Sequence, residues 1–211
     1  MNFPAAFAAA LALLAVGRPV HAEAAPPESP APASTSPGYE PHLSAMVGLT
    51  QWLLFRGGNV ALEYKTGRLA LEFSHGQGLD LNQLPSLALT SAERASGAHV
   101  LVPWTTGFGV GYRFTENLHV LVELKAHRYN VTSRERNAEI DYTTFSIGPS
   151  VFYTVYLYKG LFLEPNVRFW PNVASTLPGG VATWRDPDGT TQSHKAHDFG
   201  FFANMNLGWT I

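Results

Sequence analysis

Cysteine is absent from the 211 residues. That excludes disulfides, thiolate metal sites, a cysteine nucleophile and an N-terminal lipoprotein anchor. Charge is scarce as well. Asp, Glu, Lys and Arg together make up 14%, against about 25% in an average soluble domain. So low a share argues against a disordered chain and against a coiled coil. The net charge of -2 supplies no basic field, so nucleic acid is not expected as a partner. Beyond His42 no apolar run reaches the ~18 residues of a spanning helix. What the chain does have is aromatic residues (12%), Gly (19) and Pro (15), a composition that suits a β-rich protein.

The N-terminus reads as an export signal. Phe3 to Val16 is apolar over about 14 residues, too short to span a bilayer. Val20-His21-Ala22 and Ala22-Glu23-Ala24 place small residues where a signal peptidase reads. Met1-Asn2 adds no Lys or Arg, so the positive region is the α-amino group alone. Residues 1–22 are expected to be a cleaved signal peptide. Residues 23–41, with Pro26-Pro27, Pro30-Ala31-Pro32 and Ser34-Thr35-Ser36-Pro37-Gly38, read as a flexible linker, too poor in apolar side chains to offset ordering entropy. Residues 42–211 form the body.

In the body the signal is alternation with a period of two. Phe108, Val110, Tyr112 and Phe114 share one face of a run whose other face is Gly107, Gly109, Gly111 and Arg113. In the fifth run Leu118, Val120, Val122, Leu124 and Ala126 oppose His119, Leu121, Glu123, Lys125 and His127. In the sixth, Phe145, Ile147, Pro149, Val151, Tyr153, Val155 and Leu157 oppose a face of Thr, Ser and Gly. Two further runs, from Leu161 and from Gly200, behave alike, and two shorter ones carry Glu63 and Glu72. Ser44 to Phe55 has an ambiguous phase around Trp52-Leu53-Leu54-Phe55 and is read as the first strand, with Arg56-Gly57-Gly58 as its turn. The in-strand prolines, Pro149 and Pro165, predict bulges.

That makes eight runs. Links two, four and six (at Thr66, Thr115 and Tyr158) are short and fall on the same side as both termini. Links three, five and seven (near Gly76–Thr105, Asn130–Glu139 and Val173–Asp198) are long and fall on the other. This sorting predicts an all-β fold, an eight-stranded antiparallel up-and-down transmembrane β-barrel. An interior of eight strands holds side chains and little else, and the large aromatics would overfill it, so the apolar face is expected to look at lipid. If it looked inward, the chain would be a lipocalin-like carrier of an apolar ligand. Two aromatic girdles are expected: Tyr64, Phe114, Tyr156, Tyr158 and Trp209 near the short turns, and Trp104, Tyr129, Tyr142, Trp170 and Phe199 near the long links.

The export signal, the eight alternating runs and the C-terminal amphipathic strand resemble the small Gram-negative outer-membrane barrels of the OmpA transmembrane, OmpX and OmpW type, over about residues 43 to 211. The resemblance implies a location in the outer membrane, contact with its lipid and lipopolysaccharide, and a final strand read by the barrel-assembly machinery. That strand usually ends in Phe. Here Gly208-Trp209-Thr210-Ile211 keeps the phase and ends in Ile.

The inward face offers Glu63, Glu72, Glu123 and Glu164 against Arg113, Lys125 and Arg168, with His119 and His127 beside them. Near-balance of sign points to a salt-bridged plug, since one sign would dominate an ion-selective lumen. Arg128, in phase with lipid, with Arg134 and Arg136 beyond it, suits lipopolysaccharide phosphate. Lipid A deacylases carry a His-x-Ser near their last strands; here the sole His-x-Ser, His42-Leu43-Ser44, precedes the first. No enzyme activity is therefore expected, an outer-membrane enzyme acting on lipid A being the alternative. Ser74-His75-Gly76, with Asp80 and Asn82, reads as a loop anchor. His194-Lys195-Ala196-His197-Asp198 and Asp186-Pro187-Asp188-Gly189 lack the spacing of zinc and calcium sites. No metal or cofactor is expected.

Overall fold

The computed structural model describes residues 37–95, 97–133, 138–185, 189 and 191–211. The expected signal peptide and most of the expected linker lie outside them. In chain order the elements are β1 (His42–Gly48), α1 (Leu49–Phe55), β2 (Gly58–Thr66), β3 (Leu69–Asp80), α2 (Pro85–Ala88), α3 (Ser91–Ala95), β4 (His99–Arg113), β5 (Leu118–Ser133), β6 (Ala138–Tyr153), β7 (Val155–Tyr158), β8 (Leu161–Trp170), β9 (Asn172–Ser175), β10 (Val181–Arg185), β11 (Thr191–Lys195) and β12 (Gly200–Thr210).

β7 continues β6 and β9 continues β8, so the ten segments of the main sheet make eight antiparallel strands. Each pairs with its sequence neighbour, and β1 pairs with β12 from Ser44↔Thr210 to Gly48↔Asn206, closing the barrel. The turns at Gly67, Thr115 and Gly160 and both ends of the described body share one side. The long links lie opposite. β10 and β11 form a separate hairpin within the last of these.

The alternation has the polarity expected from the runs. Val60, Leu62, Phe73, Phe108, Val110, Val122, Leu124, Phe145, Ile147, Val151, Phe169 and Phe201 are exposed on the outer face, while Glu63, Glu72, Glu123, Lys125, Glu164 and Arg168 are buried inside. The glycine row on β4 makes this possible. A Cβ at Gly107 would strike Lys125, and one at Gly109 would come within 3.1 Å of the Glu123 side chain. The glycines leave the volume that the charged residues of β5 occupy.

Three expectations about the strands change. Ser44 to Phe55 is not one strand: β1 stops at Gly48 and α1 follows. The fifth link is not a long loop, because β5 and β6 each run 16 residues and only residues 134–137 separate them. Their upper parts stand beyond the apolar belt, so their outward residues are polar and the alternation that marks a lipid face fades. The prolines do not sit at bulges, for neither ladder that includes them shifts register there. Instead each lies beside a lapse in the ladder on its other edge. Pro149 falls where pairing jumps from Ser150↔Arg168 to Ser146↔Asn172, across Pro171. Pro165 falls where Thr154 separates β6 from β7. Thr154 repairs its own break: its N–H donates to the Asn117 carbonyl (2.8 Å), and Asn117 Nδ2 donates to the Thr154 carbonyl (2.6 Å).

The upper girdle changes as well. Trp104, paired with outward Arg128, is half-buried, but Tyr129, Tyr142 and Trp170 are buried and Phe199 packs against that buried cluster. Their parity along β5, β6 and β8 is that of Glu123, Ser150 and Arg168, so they fill the interior above the ion pairs. In the lower girdle Tyr64, Phe114, Tyr158 and Trp209 are exposed, whereas Tyr156 packs on Phe162 at 5.6 Å.

Candidate functional site

The interior is layered. At the short-turn mouth Arg113 donates to the carbonyls of Gly67 (3.0 Å), Gly38 (2.5 Å) and Glu116 (3.4 Å). Its guanidinium also covers the Tyr39 ring at 4.9 Å, and Arg68 covers the same ring at 5.3 Å. The end of the expected linker is therefore fastened across the mouth. Arg113 serves carbonyls and an aromatic face, and the carboxylates of the interior lie with other cations.

Above it, Lys65 Nζ stands 2.6 Å from Glu63 and 3.5 Å from Glu164, and His119 Nε2 stands 2.7 Å from the other oxygen of Glu63. Thr154 Oγ1 donates to Glu164 at 2.8 Å. Glu63, His119 and Glu164 bring three ligand atoms within 4.8 Å of one another. The ammonium of Lys65 already supplies the positive charge between the two carboxylates, so this group is read as an ion-pair cluster. In the sequence Lys65 stands beside a turn and does not announce itself as an interior residue. Its parity with Glu63 is the signal that places it inward.

A ring of Phe152 links this cluster to the next. It stacks on His119 at 4.7 Å and lies under the Arg168 guanidinium at 4.8 Å. The upper cluster joins β3, β5 and β8. Arg168 contacts Glu72 at 3.1 Å and Glu123 at 2.7 Å, and Lys125 contacts Glu123 at 3.3 Å and Glu72 at 3.8 Å. The hydroxyls of Ser74 and Ser150 complete the shell, to Lys125 and Glu123 respectively. Trp170 Nε1 donates to Glu123 at 3.0 Å, while Lys125 and Arg168 lie over its ring. Two acids and two bases, all buried, hold one another in a medium where an unpaired charge is costly. Between this cluster and the long-link side remains a cavity of about 20 Å³, lined in part by Gln51, Asn59, Ser74, Lys125 and Arg168, room for about one water.

His127 lies above the clusters. It bonds Thr105 Oγ1 at 2.8 Å and stacks on Phe199 at 5.0 Å. Arg128 points outward and meets Asp141 at 3.5 Å. Arg134 and Arg136 lie outside the described residues, as does Asp186-Pro187-Asp188. His42 and Ser44 sit on β1 near the mouth, bonded to the Glu40 carbonyl (2.8 Å) and to Thr210 (3.4 Å). His75 is half-buried on the outer face of β3. Asp80 caps the turn at Leu81–Gln83 through the Asn82 N–H, and Asn82 bonds the backbone of Ala98 and Val100.

Over the ion pairs sits an apolar cap formed by the long links and the upper wall together, centred on Tyr129 of β5 and Tyr142 of β6, whose rings stack at 5.2 Å. One polar chain runs through it. Glu93 on α3 contacts His197 Nδ1 at 3.1 Å, the His197 N–H donates to Tyr142 Oη at 3.0 Å, and that hydroxyl shares a 2.9 Å bond with His194 Nε2. It ties two links to the wall. Burial raises the Glu93 carboxyl, but the bonds from His197 and Thr90 outweigh it and hold the group at about 2. Burial lowers His194. Both groups favour the folded cap in their deprotonated forms. The His194 contribution is full above its ordinary 6.5 and is lost as pH falls below it. The Glu93 contribution is full above the usual carboxylate value of about 4.3 and is lost towards its folded value. Acidification should therefore loosen the cap in two stages. Amide hydrogen exchange at Ala196 and His197, corrected for intrinsic chemistry, checks this; protection that stays constant from pH 7 to pH 3 contradicts it.

No protein-family model and no curated protein sequence matches the chain. Among solved structures, the chain is similar to a major outer membrane protein from Thermus thermophilus, with 12% identity and a TM-score of 0.45 over 81% of this chain and 99% of that one. It is likewise similar to the N-terminal β-barrel domain of Pseudomonas aeruginosa OprF, with 10% identity and a TM-score of 0.44 over 82% of this chain and 99% of the other.

Proposed function

We propose that the chain is an outer-membrane β-barrel with a closed lumen, acting as a structural or surface-interacting protein and not as an open pore. The carrying observation is the inversion of ordinary polarity: around the belt the outward residues of the barrel strands are mostly apolar and exposed, while the interior holds ion pairs. Water outside would make that arrangement unfavourable, and hydrocarbon outside makes it the stable one. A carrier of an apolar ligand would need an apolar cavity, whereas the described interior is occupied by stacked ion pairs, and the cavity beside the upper cluster, lined in part by Lys125 and Arg168, has about 20 Å³ of space. Lipid is the proposed partner of the belt. Arg128 is the described candidate for a lipopolysaccharide phosphate, and β12, with Trp209 exposed, is the proposed signal for barrel assembly.

The protein should sediment with outer membranes, extract only in detergent, and change gel mobility on boiling as the closed sheet unfolds. Reconstituted in planar bilayers it should show no large, steady conductance. Recovery of the whole protein in the soluble periplasmic fraction would refute the reading.

A further inference from the structure

The barrel wall is incomplete on one side. β1 ends at Gly48, opposite Asn206, while β12 continues up to Gly200. Among the described residues no strand pairs with the β1-facing edge of β12 above Asn206, and α1 lies along that edge instead. Thr50 Oγ1 accepts from the Met205 N–H at 3.1 Å, where a ladder bond would otherwise stand. Gln51 and Phe55 turn inward and are buried, the latter 6.2 Å from the Phe202 ring. On the opposite face Trp52, Leu53 and Leu54 are 66%, 68% and 47% exposed. No charged residue lies between Leu49 and Phe55, and exposed Arg56 follows at once.

We propose that this outward face of α1 is a lipid-contact surface, seated at the acyl–headgroup boundary on the long-link side and sealing the notch that the short first strand leaves in the wall. The proposal rests on the membrane-barrel reading above. Continuity argues for lipid over a protein partner. The chain leaves the wall after Gly48, the residue next to Val47, and rejoins it at Gly58, two residues before Val60, and both valines are exposed members of the apolar belt (44% and 57%). The helix therefore extends a surface already assigned to hydrocarbon. A tryptophan flanked by an arginine suits the interface, where the indole spans apolar and wet zones and the guanidinium reaches phosphate.

The absence of cysteine makes the test direct. Trp52→Cys, Leu53→Cys and, as a mid-belt reference, Phe108→Cys each receive one environment-sensitive nitrobenzoxadiazole label. The full chain is refolded into phosphatidylcholine vesicles, and folding is verified by the gel shift. Labels at 52 and 53 should lose emission at least about twofold with lipids carrying a nitroxide near the headgroup, consistent with a depth of roughly 5–10 Å. The label at 108 should respond most to a nitroxide deep in the chain. Quenching at 108 without quenching at 52 or 53 overturns the inference and leaves the barrel reading intact, a blue-shifted but unquenched label there marking a protein partner or a second copy. Absence of quenching at all three positions overturns both.

Discussion

Replacing Glu123 with alanine should destabilise the barrel by about 3–5 kcal/mol, the cost of leaving a buried cation without its partner. Glu123 accepts from Arg168, Lys125, Trp170 and Ser150. Removing it leaves two cations facing Glu72 alone. Urea titration in vesicles, followed by tryptophan emission, measures the loss. The cause can be separated from simple packing. Glu123→Ala combined with Arg168→Met should cost less than the sum of the single changes, because the second removes the charge that the first strands. Additive losses, or an unchanged midpoint accompanied by a rise in single-channel conductance in the single variant, would show an aqueous lumen and sink the plug.

Val122→Arg tests the outer face by a different route. Val122 and Leu124 are 51% and 57% exposed at the middle of the outward face of β5. Adjacent in the chain, Glu123 shows 0%. An arginine at 122 would have to be solvated in hydrocarbon, which costs about 2–4 kcal/mol at the midplane of such barrels. The same titration should read that loss in vesicles, and the penalty should shrink in detergent micelles, where the aliphatic stem can reach water over a shorter path. A variant as stable as the parent in vesicles would mean that this face never meets lipid.

Parity made most of the architecture readable. Val122 against Glu123 and Phe108 against Gly109 separate outside from inside without any structure, and the lengths of the links separate one rim from the other. Legibility failed where the environment changed along a strand. Thr132 and Asn130 continue β5, yet above the belt their outward side chains meet water, so nothing in the pattern distinguishes them from a loop. Tyr129, Tyr142 and Trp170 resemble a girdle because they cluster near one rim, although their parity is already that of the inward residues Glu123, Ser150 and Arg168. The stretch Trp52-Leu53-Leu54-Phe55 carries four apolar residues in succession, which neither a period of two nor one of 3.6 can resolve over so short a span. Lys65 is hidden by the turn beside it for a simpler reason: Thr66-Gly67 marks a reversal, and the residue before it still belongs to the wall.

The ladder that closes the barrel is also short. β1 and β12 pair over five positions, from Ser44↔Thr210 to Gly48↔Asn206, and the residues they join are as far as 166 apart in sequence. β5 and β6, neighbours in the chain, pair without interruption from Leu118↔Tyr153 to Ser133↔Ala138. Closing so long a loop for so few hydrogen bonds carries the largest entropic cost of any step in assembly. The hairpins of β4, β5 and β6 are therefore expected to form early, and the union of the first and last strands last. Run backwards, the same asymmetry sets where the native barrel opens: amide exchange should be fastest along the β1–β12 edge and slowest along β5, so that the lifetime of the folded state is governed by its final five pairs.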